Sequence, residues 1–264
     1  MTDEASPVNT EIPQTARIWN YWLGGKDNYE PDVRAGNLAA RLVPHLRDTV
    51  LHSRAFLHRT VRHLTDNEGI QQFLDVGAGL PVVDRTHEVA QAAAPGARVV
   101  YVDNDPLVLA HARALLTSAP EGKTAYLPAD LRKPEDVIAG AAETLDFDEP
   151  IALLLMGILG HMTDYDEGRS IVRRLVDALP SGSYLALYDA TNVVDPATAE
   201  AIDIWNRSAE PPYVLRTPDQ LAGFFEGMEL LPPGVVSCPL WHPRPADIGT
   251  VEEIDEFCGV ARKP

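Results

Sequence analysis

Two short apolar segments, one followed by a glycine turn and one ending in an acid, constrain the fold of this chain most strongly. Residues 72–76 read as a buried strand that runs into the glycine turn at residues 77–79. Residues 98–103 read as a second buried strand, and its last residue is Asp103. Where an acid and a glycine turn lie side by side at one edge of a parallel sheet, the acid can hold both hydroxyls of a ribose while the ligand approaches the backbone. The pair therefore predicts half of a nucleoside-binding crevice.

Strands and helices alternate from residue 71 onward, and this order is typical of a mostly parallel sheet covered by helices on both faces. Apolar segments predict further strands at residues 124–128, 151–156, 183–188, 234–238 and 257–262. The helix that begins after Asp105 is expected to turn Val108, Ala112 and Leu115 toward the core. The chain therefore predicts an α/β fold with a seven-stranded sheet that begins parallel and ends in a hairpin.

The composition divides the chain into three parts. Residues 1–13 are polar and acidic, lack the basic and apolar regions of a signal peptide, and are expected to form a flexible tail. Residues 14–68 are expected to form an N-terminal helical cap or lid, because an aromatic helix stopped by the glycine pair 24–25 is followed by apolar residues at helical spacing. The polar turn at residues 66–69 leads into residues 69–264, the predicted nucleoside-binding sheet domain.

Composition and charge argue against several classes of protein. No apolar run approaches the roughly 20 residues that span a bilayer, so no membrane segment is expected. The formal net charge of −17 argues against a nucleic-acid partner, whose phosphates require a basic surface. The histidines show no metal-ligand spacing, and no metal is expected. For Cys238 and Cys258 a disulfide is the alternative, but two reduced thiols in the core of a cytoplasmic protein are predicted.

The ends of three predicted strands favour S-adenosylmethionine over a dinucleotide. A dinucleotide turn has the pattern G-x-G-x-x-G, and here Val82 occupies the third glycine position. Asp75 precedes the glycine turn and would organise both the turn and the ammonium group of the cofactor. Asp103 would accept hydrogen bonds from both ribose hydroxyls, and Asp130 would accept one from the adenine amine. Asp130 could instead only cap the segment that follows it, and the combination of the three acids is what favours a nucleoside cofactor.

The candidate cofactor site also includes the residues that adjoin these acids and the end of the fourth predicted strand. Its members are Asp75, Gly77, Ala78, Gly79, Leu80, Asp103, Asn104, Asp130, Leu131 and Met156. All of them lie at the carboxyl ends of predicted parallel strands, where open α/β sheets bind their ligands.

The loop after the fourth predicted strand, residues 157–164, is expected to face the methyl group of the cofactor. Methyl transfer from a sulfonium is an in-line displacement that requires alignment of the nucleophile, and it benefits from a general base when the nucleophile carries a proton. His161 is the candidate base or substrate-orienting group, because a histidine can titrate near neutral pH. The alternative is that His161 only forms a hydrogen bond within the loop or caps a helix together with Asp164.

The polar turn after the aromatic helix is a candidate lid. Its residues, together with one tyrosine of the helix, are Tyr21, Gly24, Gly25, Lys26, Asp27, Asn28 and Tyr29. Tyr21 and Tyr29 would border the substrate pocket, and stacking of these side chains within the cap is the alternative. Trp19, Trp22 and Trp205 are predicted to be packing residues, and an aromatic pocket for an apolar or cationic acceptor is the alternative.

Several stretches of the chain match one known family. They are residues 16–29, 73–81, 87–91, 99–106, 241–243 and 258–264, and the Leu-Gly-Gly-Lys-Asp-Asn stretch among them is specific. In these stretches the chain resembles a family of bacterial S-adenosylmethionine-dependent methyltransferases of undefined substrate, long known only as a domain of unknown function. The resemblance implies a Rossmann-like class I methyltransferase domain at residues 69–264, with the cofactor at Asp75, Gly77, Gly79, Asp103 and Asp130. Ala78 departs from the family, where threonine or serine is common, and the change is expected to alter little.

The predicted function is methyl transfer from S-adenosylmethionine to a small-molecule acceptor. A sensor that binds the cofactor or its demethylated product without catalysis is the first alternative, because binding and turnover depend on different residues. A nicotinamide-dependent oxidoreductase is the second alternative, and Val82 disfavours it.

Overall fold

The structure, a computed structural model, describes most of the chain. It covers residues 9–80, 84–115 and 119–264, with side chains except at positions 109, 112–115 and 208. Residues 1–8 of the predicted tail, Val82, and the side chains of Ala112 and Leu115 therefore lie outside the described residues. Val108, the third residue predicted to face the core from its helix, is buried.

One sheet contains all the described strands. The strands are β1 (Gln72–Val76), β2 (Arg98–Asp103), β3 (Lys123–Pro128), β4 (Ala152–Met156), β5 (Tyr184–Ala190), β6 (Glu229–Leu230), β7 (Val236–Ser237) and β8 (Glu256–Arg262). Their order is β3-β2-β1-β4-β5-β8-β6, with β7 also paired to β8. Strands β1 to β5 run parallel to one another, and β8 runs antiparallel to β5. The predicted mostly parallel α/β sheet is confirmed. It has eight strands rather than seven, because β6 consists of two exposed residues that give no apolar signal.

Helices precede the sheet and connect its strands. The α-helices are α1 (Thr15–Trp22), α2 (Glu30–Leu42), α3 (Leu46–Asp66), α4 (Thr86–Ala93), α5 (Pro106–Leu115), α6 (Pro134–Ala141), α7 (Tyr165–Ala178), α8 (Ala197–Ser208) and α9 (Pro218–Ala222). A short 3-10 turn, Leu159–His161, follows β4. Within the described ranges, none of the helices has the length and apolar character needed to cross a bilayer.

Apolar side chains cover both faces of the sheet. On one face, Phe56 of α3 belongs to a buried cluster with Phe73 of β1. On the other face, Val137 of α6 and Leu175 of α7 belong to a second cluster with Leu74 of β1. All residues of β1 are buried, as a parallel strand between two helical layers requires. Since α3 packs directly on the sheet, the division of the chain near residue 68 into a cap and a sheet domain stays a prediction.

A buried ion pair holds α1 to α2. The Nε atom of Arg17 lies 3.0 Å from the Oδ2 atom of Asp32, and both side chains are almost fully buried. Arg17 also donates hydrogen bonds to the carbonyl oxygens of Asn9 and Ile12. These bonds offset the desolvation of the two charges, and they tie residues 9–12 of the predicted tail to α1.

The order of the strands places a crevice at the centre of the sheet. Strands β2 and β3 lie on one side of β1, and β4 and β5 lie on the other. The connections therefore leave β1 and β4 in opposite directions. In open parallel sheets ligands bind outside the carboxyl ends of the two strands at such a reversal.

Candidate active site

A groove of about 180 Å³ lies at this reversal. The strand ends contribute the residues Asp75, Gly77, Ala78, Gly79, Leu80, Asp103, Asn104, Asp105, Met156, Gly157 and Ile158. The helices α1 and α3 close the opposite side of the groove with Thr15, Ala16, Trp19, Asn20, Arg54 and Leu57. The groove is thus enclosed between the sheet and the N-terminal helices.

The turn after β1 leaves bare backbone beside the groove. Gly77 and Gly79 have φ angles of 79° and 66°, a left-handed conformation that favours glycine. The backbone N–H of Gly79 donates to the Oδ2 atom of Asp103 at 2.9 Å, which joins the ends of β1 and β2. A Cβ atom added at Gly79 would meet no atom within 4 Å. The turn therefore leaves space in which a ligand can lie against the main chain.

Two of the three acids that line the groove, Asp75 and Asp103, are desolvated. Asp75 is buried and accepts a hydrogen bond of 2.7 Å from the Thr86 hydroxyl. Burial raises the pKa of Asp75 from 3.8 to about 6, and burial also raises the pKa of Asp103. The Oδ1 atom of Asp103 accepts from the backbone N–H of Asp105. Both carboxylates would gain from a ligand that brings hydrogen-bond donors or positive charge.

The structure brings most of the predicted cofactor residues together, but not all. Asp75, Gly77, Ala78, Gly79, Leu80, Asp103, Asn104 and Met156 line the groove. Asp130 and Leu131 do not belong to its lining. The Oδ1 atom of Asp130 accepts from the backbone and the side chain of Arg132, and Leu131 is buried in the core. A contact between Asp130 and adenine stays a prediction.

His161 is held in one tautomer by its two neighbours. Its Nδ1 atom lies 2.9 Å from the carbonyl oxygen of Pro212, and its Nε2 atom lies 3.3 Å from the Oγ1 atom of Thr15. A carbonyl oxygen only accepts, so these bonds assign the proton to Nδ1 and leave the lone pair of the neutral ring on Nε2. Burial lowers the pKa of His161. The imidazole is therefore neutral at neutral pH and has an acceptor atom on the groove side, where Thr15 lies.

A buried network fixes the loop that carries His161. The backbone N–H of Gly160 lies 3.1 Å from both carboxylate oxygens of Asp189, and the Tyr213 hydroxyl donates to the same carboxylate. The ring of Tyr213 contacts His161 edge to face, with 4.9 Å between the ring centroids. Burial raises the pKa of Asp189 to about 6. Asp189 thus holds the backbone beside His161 and the ring that packs on it.

A larger cavity of about 610 Å³ adjoins the groove. Its walls come from α1, α2, α3 and α8 and from the segment before β8. Trp19, Trp22 and Trp205 line it, which favours the aromatic-pocket alternative over simple packing for these side chains. Four residues line both the groove and the cavity: Thr15, Trp19, Gly157 and His161. The two spaces therefore meet beside the imidazole.

The predicted lid turn is anchored by one buried side chain. The Oδ1 atom of Asn20 accepts from the backbone N–H of Asp27 and from the side chain of Asn28. Gly25 approaches Asn20 so closely that a Cβ atom there would lie 2.3 Å from its side chain. The Oδ1 atom of Asp27 lies 3.6 Å from the Nε2 atom of His111 on α5. The turn therefore connects α1 to the helix that follows β2.

The two tyrosines predicted to border the substrate pocket lie elsewhere. Neither Tyr21 nor Tyr29 belongs to the described lining of the groove or of the large cavity. The Tyr21 hydroxyl donates to Asn37, and the Tyr29 ring lies under the guanidinium group of Arg17, 5.2 Å from its central carbon. Both side chains therefore contact other residues of the cap, in agreement with the alternative of packing within the cap.

Several site residues were missed by the sequence reasoning. They are Thr15, Asn20, Arg54 and Asp189. Thr15, Asn20 and Arg54 lie on helices, where their polar character is typical of solvent-exposed positions. Asp189 follows the apolar residues of β5, and an acid at a strand end was the one signal that could have identified it. Cys238 and Cys258 are both free and buried, as predicted.

Comparison with known proteins gives close and distant matches. The sequence model of a family described as S-adenosyl methyltransferase matches residues 1–264. The crystal structure of a DUF574 family protein from Streptomyces avermitilis MA-4680 has a TM-score of 0.94 and 41% sequence identity over 98% of this chain and 100% of that protein. A provisionally assigned methyltransferase from Thermobifida fusca YX has a TM-score of 0.90 and 37% identity over 100% of this chain and 99% of that one.

A more distant structure shares the fold alone. The plantazolicin methyltransferase BpumL, crystallised with S-adenosylhomocysteine, has a TM-score of 0.51 and 12% identity over 94% of this chain and 95% of its own. No curated protein sequence matches the chain.

Proposed function

The chain belongs to the S-adenosyl methyltransferase family, whose sequence model spans residues 1–264, and we propose that it methylates a small molecule with an apolar body. The predictions of the family, the class I fold, the S-adenosylmethionine cofactor and the methyltransferase activity are confirmed. The acceptor would occupy the large cavity, and the cofactor would occupy the groove. The junction of the two spaces at His161 is the observation on which the proposal rests, because a methyl group can pass only where both ligands meet.

The groove fits the chemistry of the cofactor. Asp103 would accept hydrogen bonds from the ribose hydroxyls, and the open backbone at Gly79 would lie against the methionine portion. Asp75 would face the ammonium group of the cofactor. The positive charge of this group favours the ionised carboxylate and would therefore lower the pKa of Asp75, which burial raises in the free protein. Asp130 is proposed to accept from the adenine amine, as the sequence suggested.

Arg54 is proposed to hold the carboxylate of the cofactor. Among the described residues that line the groove, Arg54 is the sole arginine or lysine. One of its terminal nitrogens donates to the carbonyl oxygen of Asp84 at 2.8 Å. A guanidinium group presents N–H donors in a planar fork that matches the geometry of a carboxylate, which suits Arg54 to this role.

His161 is proposed as the general base. When bound, S-adenosylmethionine supplies an electrophilic methyl group on a sulfonium centre. The Nε2 atom of His161 would accept the proton of an O–H or N–H nucleophile at the junction. The Nδ1–H bond to the carbonyl oxygen of Pro212 would stabilise the resulting imidazolium. The apolar cavity walls would exclude water and align the acceptor.

The N-terminal helices are proposed to act as the cap of this site. Residues 14–68 include α1, which lines both spaces, and the turn at residues 24–29 that links α1 to α5. We propose this turn as a lid over the cofactor. In this arrangement the cap completes the groove on the side opposite to the strand ends.

Calorimetry and turnover together test the proposed function. Wild-type protein is titrated with S-adenosylhomocysteine and then incubated with S-adenosylmethionine and a panel of small aromatic and aliphatic alcohols and amines, with release of S-adenosylhomocysteine as the readout. Binding, followed by turnover that His161→Asn abolishes without changing the affinity for S-adenosylhomocysteine, is the expected result. Absence of binding would contradict the proposed groove. Binding without transfer across the whole panel would favour the sensor alternative.

A further inference from the structure

The large cavity is lined by acids and by histidines, one of which, His45, has its Nε2 atom 3.5 Å from the Oδ2 atom of Asp195. Of the described residues that line it, none is a lysine or an arginine. Its acidic members are Asp48, Asp195, Glu252, Glu253, Asp255 and Glu256. Apart from these histidines, the charged side chains in the described wall are all acidic, and an excess of acids in a pocket creates a potential that favours cationic ligands.

Most of these acids are exposed to solvent or already have hydrogen-bond or ion-pair partners within the protein. Asp48, Glu252 and Glu253 are exposed to solvent. Asp255 accepts four hydrogen bonds within 3.0 Å, from the Thr191 and Thr198 hydroxyls and from the backbone N–H groups of residues 194 and 195. This carboxylate fixes the start of α8 and has a structural role. It is therefore not a candidate for ligand binding.

Glu256 differs from the other acids of the cavity. It is the first residue of β8, pairs with Ala190 of β5, and is only 6% exposed. Its Oε2 atom is buried without a hydrogen-bond partner among the described residues. A buried carboxyl group without a partner costs free energy unless a ligand supplies the missing interaction.

Aromatic side chains complete the requirements for a cation site. The indole rings of Trp19, Trp22 and Trp205 lie in the wall of the same cavity. The faces of such rings attract organic cations, and tryptophan does so more strongly than the other aromatic residues. A carboxylate and three indoles around one space are the elements that recognise an organic ammonium group.

We propose that the methyl acceptor of this protein is an organic cation, an aromatic or aliphatic body carrying an ammonium group that pairs with Glu256. This inference rests on the proposed function. Glu256 does not belong to the lining of the cofactor groove, whereas His161 does. The ammonium group is thus an anchor, and the methylated atom is a different atom of the acceptor, located beside His161.

Titration supports this assignment and supplies a second readout. Burial, followed by the charges of Asp189 and Asp255, raises the pKa of Glu256 well above its usual value. The titratable groups that interact with it are Asp189, Asp255, Tyr188, Tyr213 and Cys238. None of them brings a positive charge. The carboxyl group of Glu256 therefore keeps its proton more readily than a free glutamate, and pairing with an ammonium group would favour release of that proton.

Three probes with one ring system separate charge from shape. Protein saturated with S-adenosylhomocysteine is titrated calorimetrically with tryptamine, tryptophol and indole-3-acetate, which carry a cationic, a neutral and an anionic end group. We expect tryptamine to bind about tenfold or more tightly than tryptophol, and indole-3-acetate to bind most weakly. Titrations in buffers of different ionisation enthalpy should show proton release with tryptamine and none with tryptophol.

A matched pair of variants locates the effect. Glu256→Gln keeps the size of the side chain and should remove both the preference for tryptamine and the proton release, while tryptophol binds as before. Glu253→Gln, at an exposed acid of the same cavity, should retain both. Equal affinity for tryptamine and tryptophol, no detectable binding of tryptamine, or a preference that survives in Glu256→Gln would overturn the inference.

The same titrations separate this inference from the proposed function. S-adenosylhomocysteine should bind wild type and Glu256→Gln equally, because Glu256 lies outside the groove. If S-adenosylhomocysteine does not bind wild type, the proposed groove is wrong. If it binds and the probes show no preference for the cation, only the assignment of the acceptor fails.

Discussion

Thr15 and His161 form a hydrogen bond between the first helix and the loop after β4, with 3.3 Å between Oγ1 and Nε2 and 146 positions between them in the sequence. Both residues line the groove and the large cavity. The position of α1 is therefore coupled to the orientation of the imidazole. A movement of the N-terminal helices would therefore alter the position of the Nε2 atom of His161, which is proposed to accept the proton.

Replacement of His161 by asparagine should reduce turnover without weakening cofactor binding. The amide nitrogen of asparagine can still donate to the carbonyl oxygen of Pro212, but no side-chain atom can accept a proton. We expect kcat to fall by about 10²–10⁴-fold, the usual contribution of a general base. Calorimetry with S-adenosylhomocysteine serves as the control for folding and cofactor affinity. An unchanged kcat would exclude His161 as the base.

The pH dependence of wild type should show the lowered pKa of His161. Burial is the main cause of this shift, and the neutral imidazole is the active form of a base. We therefore expect kcat/KM to rise with pH through a pKa below the usual 6.5 of histidine and to be constant at neutral pH. The rising limb should be absent from the residual activity of His161→Asn. A limb of the same shape in that variant would assign the titration to another group.

Asp103→Ala should weaken cofactor binding. The variant removes the carboxylate expected to accept from the ribose hydroxyls, and charge-assisted hydrogen bonds contribute about 1.5–3 kcal/mol, or roughly 10- to 150-fold in Kd. Asp130→Ala should weaken binding by about tenfold at most, because Asp130 lies outside the groove lining and its carboxylate is shared with Arg132. Kd values for S-adenosylhomocysteine measure both effects. A larger loss for Asp130→Ala than for Asp103→Ala would reverse their roles.

Asp189 should make the folded protein less stable as the pH rises. Burial raises its pKa from 3.8 to about 6. Between these values the folded state binds more protons than the unfolded state, so the free energy of unfolding decreases with increasing pH across this window. The shift corresponds to about 3 kcal/mol. Urea unfolding at a series of pH values should show the stability advantage of wild type over Asp189→Asn shrinking by up to this amount. Asp166→Asn, at an exposed position of α7, should show no such trend.

The sheet could be predicted from the sequence because its strands are buried on both faces. A strand such as β1 or β4 needs apolar residues at nearly every position, and the glycine turn and Asp103 mark where two of the strands end. The short strand β6 carries no such pattern because both of its residues are exposed, whereas β7 lies within the apolar segment predicted at residues 234–238. The number of strands was therefore wrong although their arrangement was right.

The large cavity could not be predicted from the sequence, because the local patterns of its residues fit packing or surface positions as well as they fit a cavity wall. Trp19 and Trp22 lie on one helix at a spacing that is the same whether the rings pack on the protein or line a cavity. Glu256 is the last residue of an acidic segment whose composition is typical of a solvent-exposed surface. Glu256 is buried because it pairs with Ala190 of β5. Asp130 was correctly placed after β3, but the sequence does not show that its side chain turns to Arg132.

The proposal that the polar turn acts as a lid can be tested with two double variants, each of which removes one positive and one negative charge. Lys26→Ala/Asp27→Ala removes one positive and one negative charge from the turn, and with them the contact of 3.6 Å between Asp27 and His111 on α5. Because α5 follows the strand that ends in Asp103, loss of this contact would loosen the cap over the ribose site. We expect the Kd for S-adenosylhomocysteine to rise by about two- to fivefold, the effect of losing one exposed polar contact.

Glu30→Ala/Arg34→Ala provides the control for this variant. This variant removes an exposed ion pair from the surface of α2, in which Arg34 lies 3.1 Å from Glu30. Like the first variant, it does not change the net charge. Neither residue lines the groove, so the control should bind S-adenosylhomocysteine as wild type does. If both double variants bind equally, the turn does not close over the cofactor and its contact with α5 is only structural. If only the first variant binds more weakly, and its dissociation rate increases while its association rate is preserved, the turn retains the bound cofactor as a lid would.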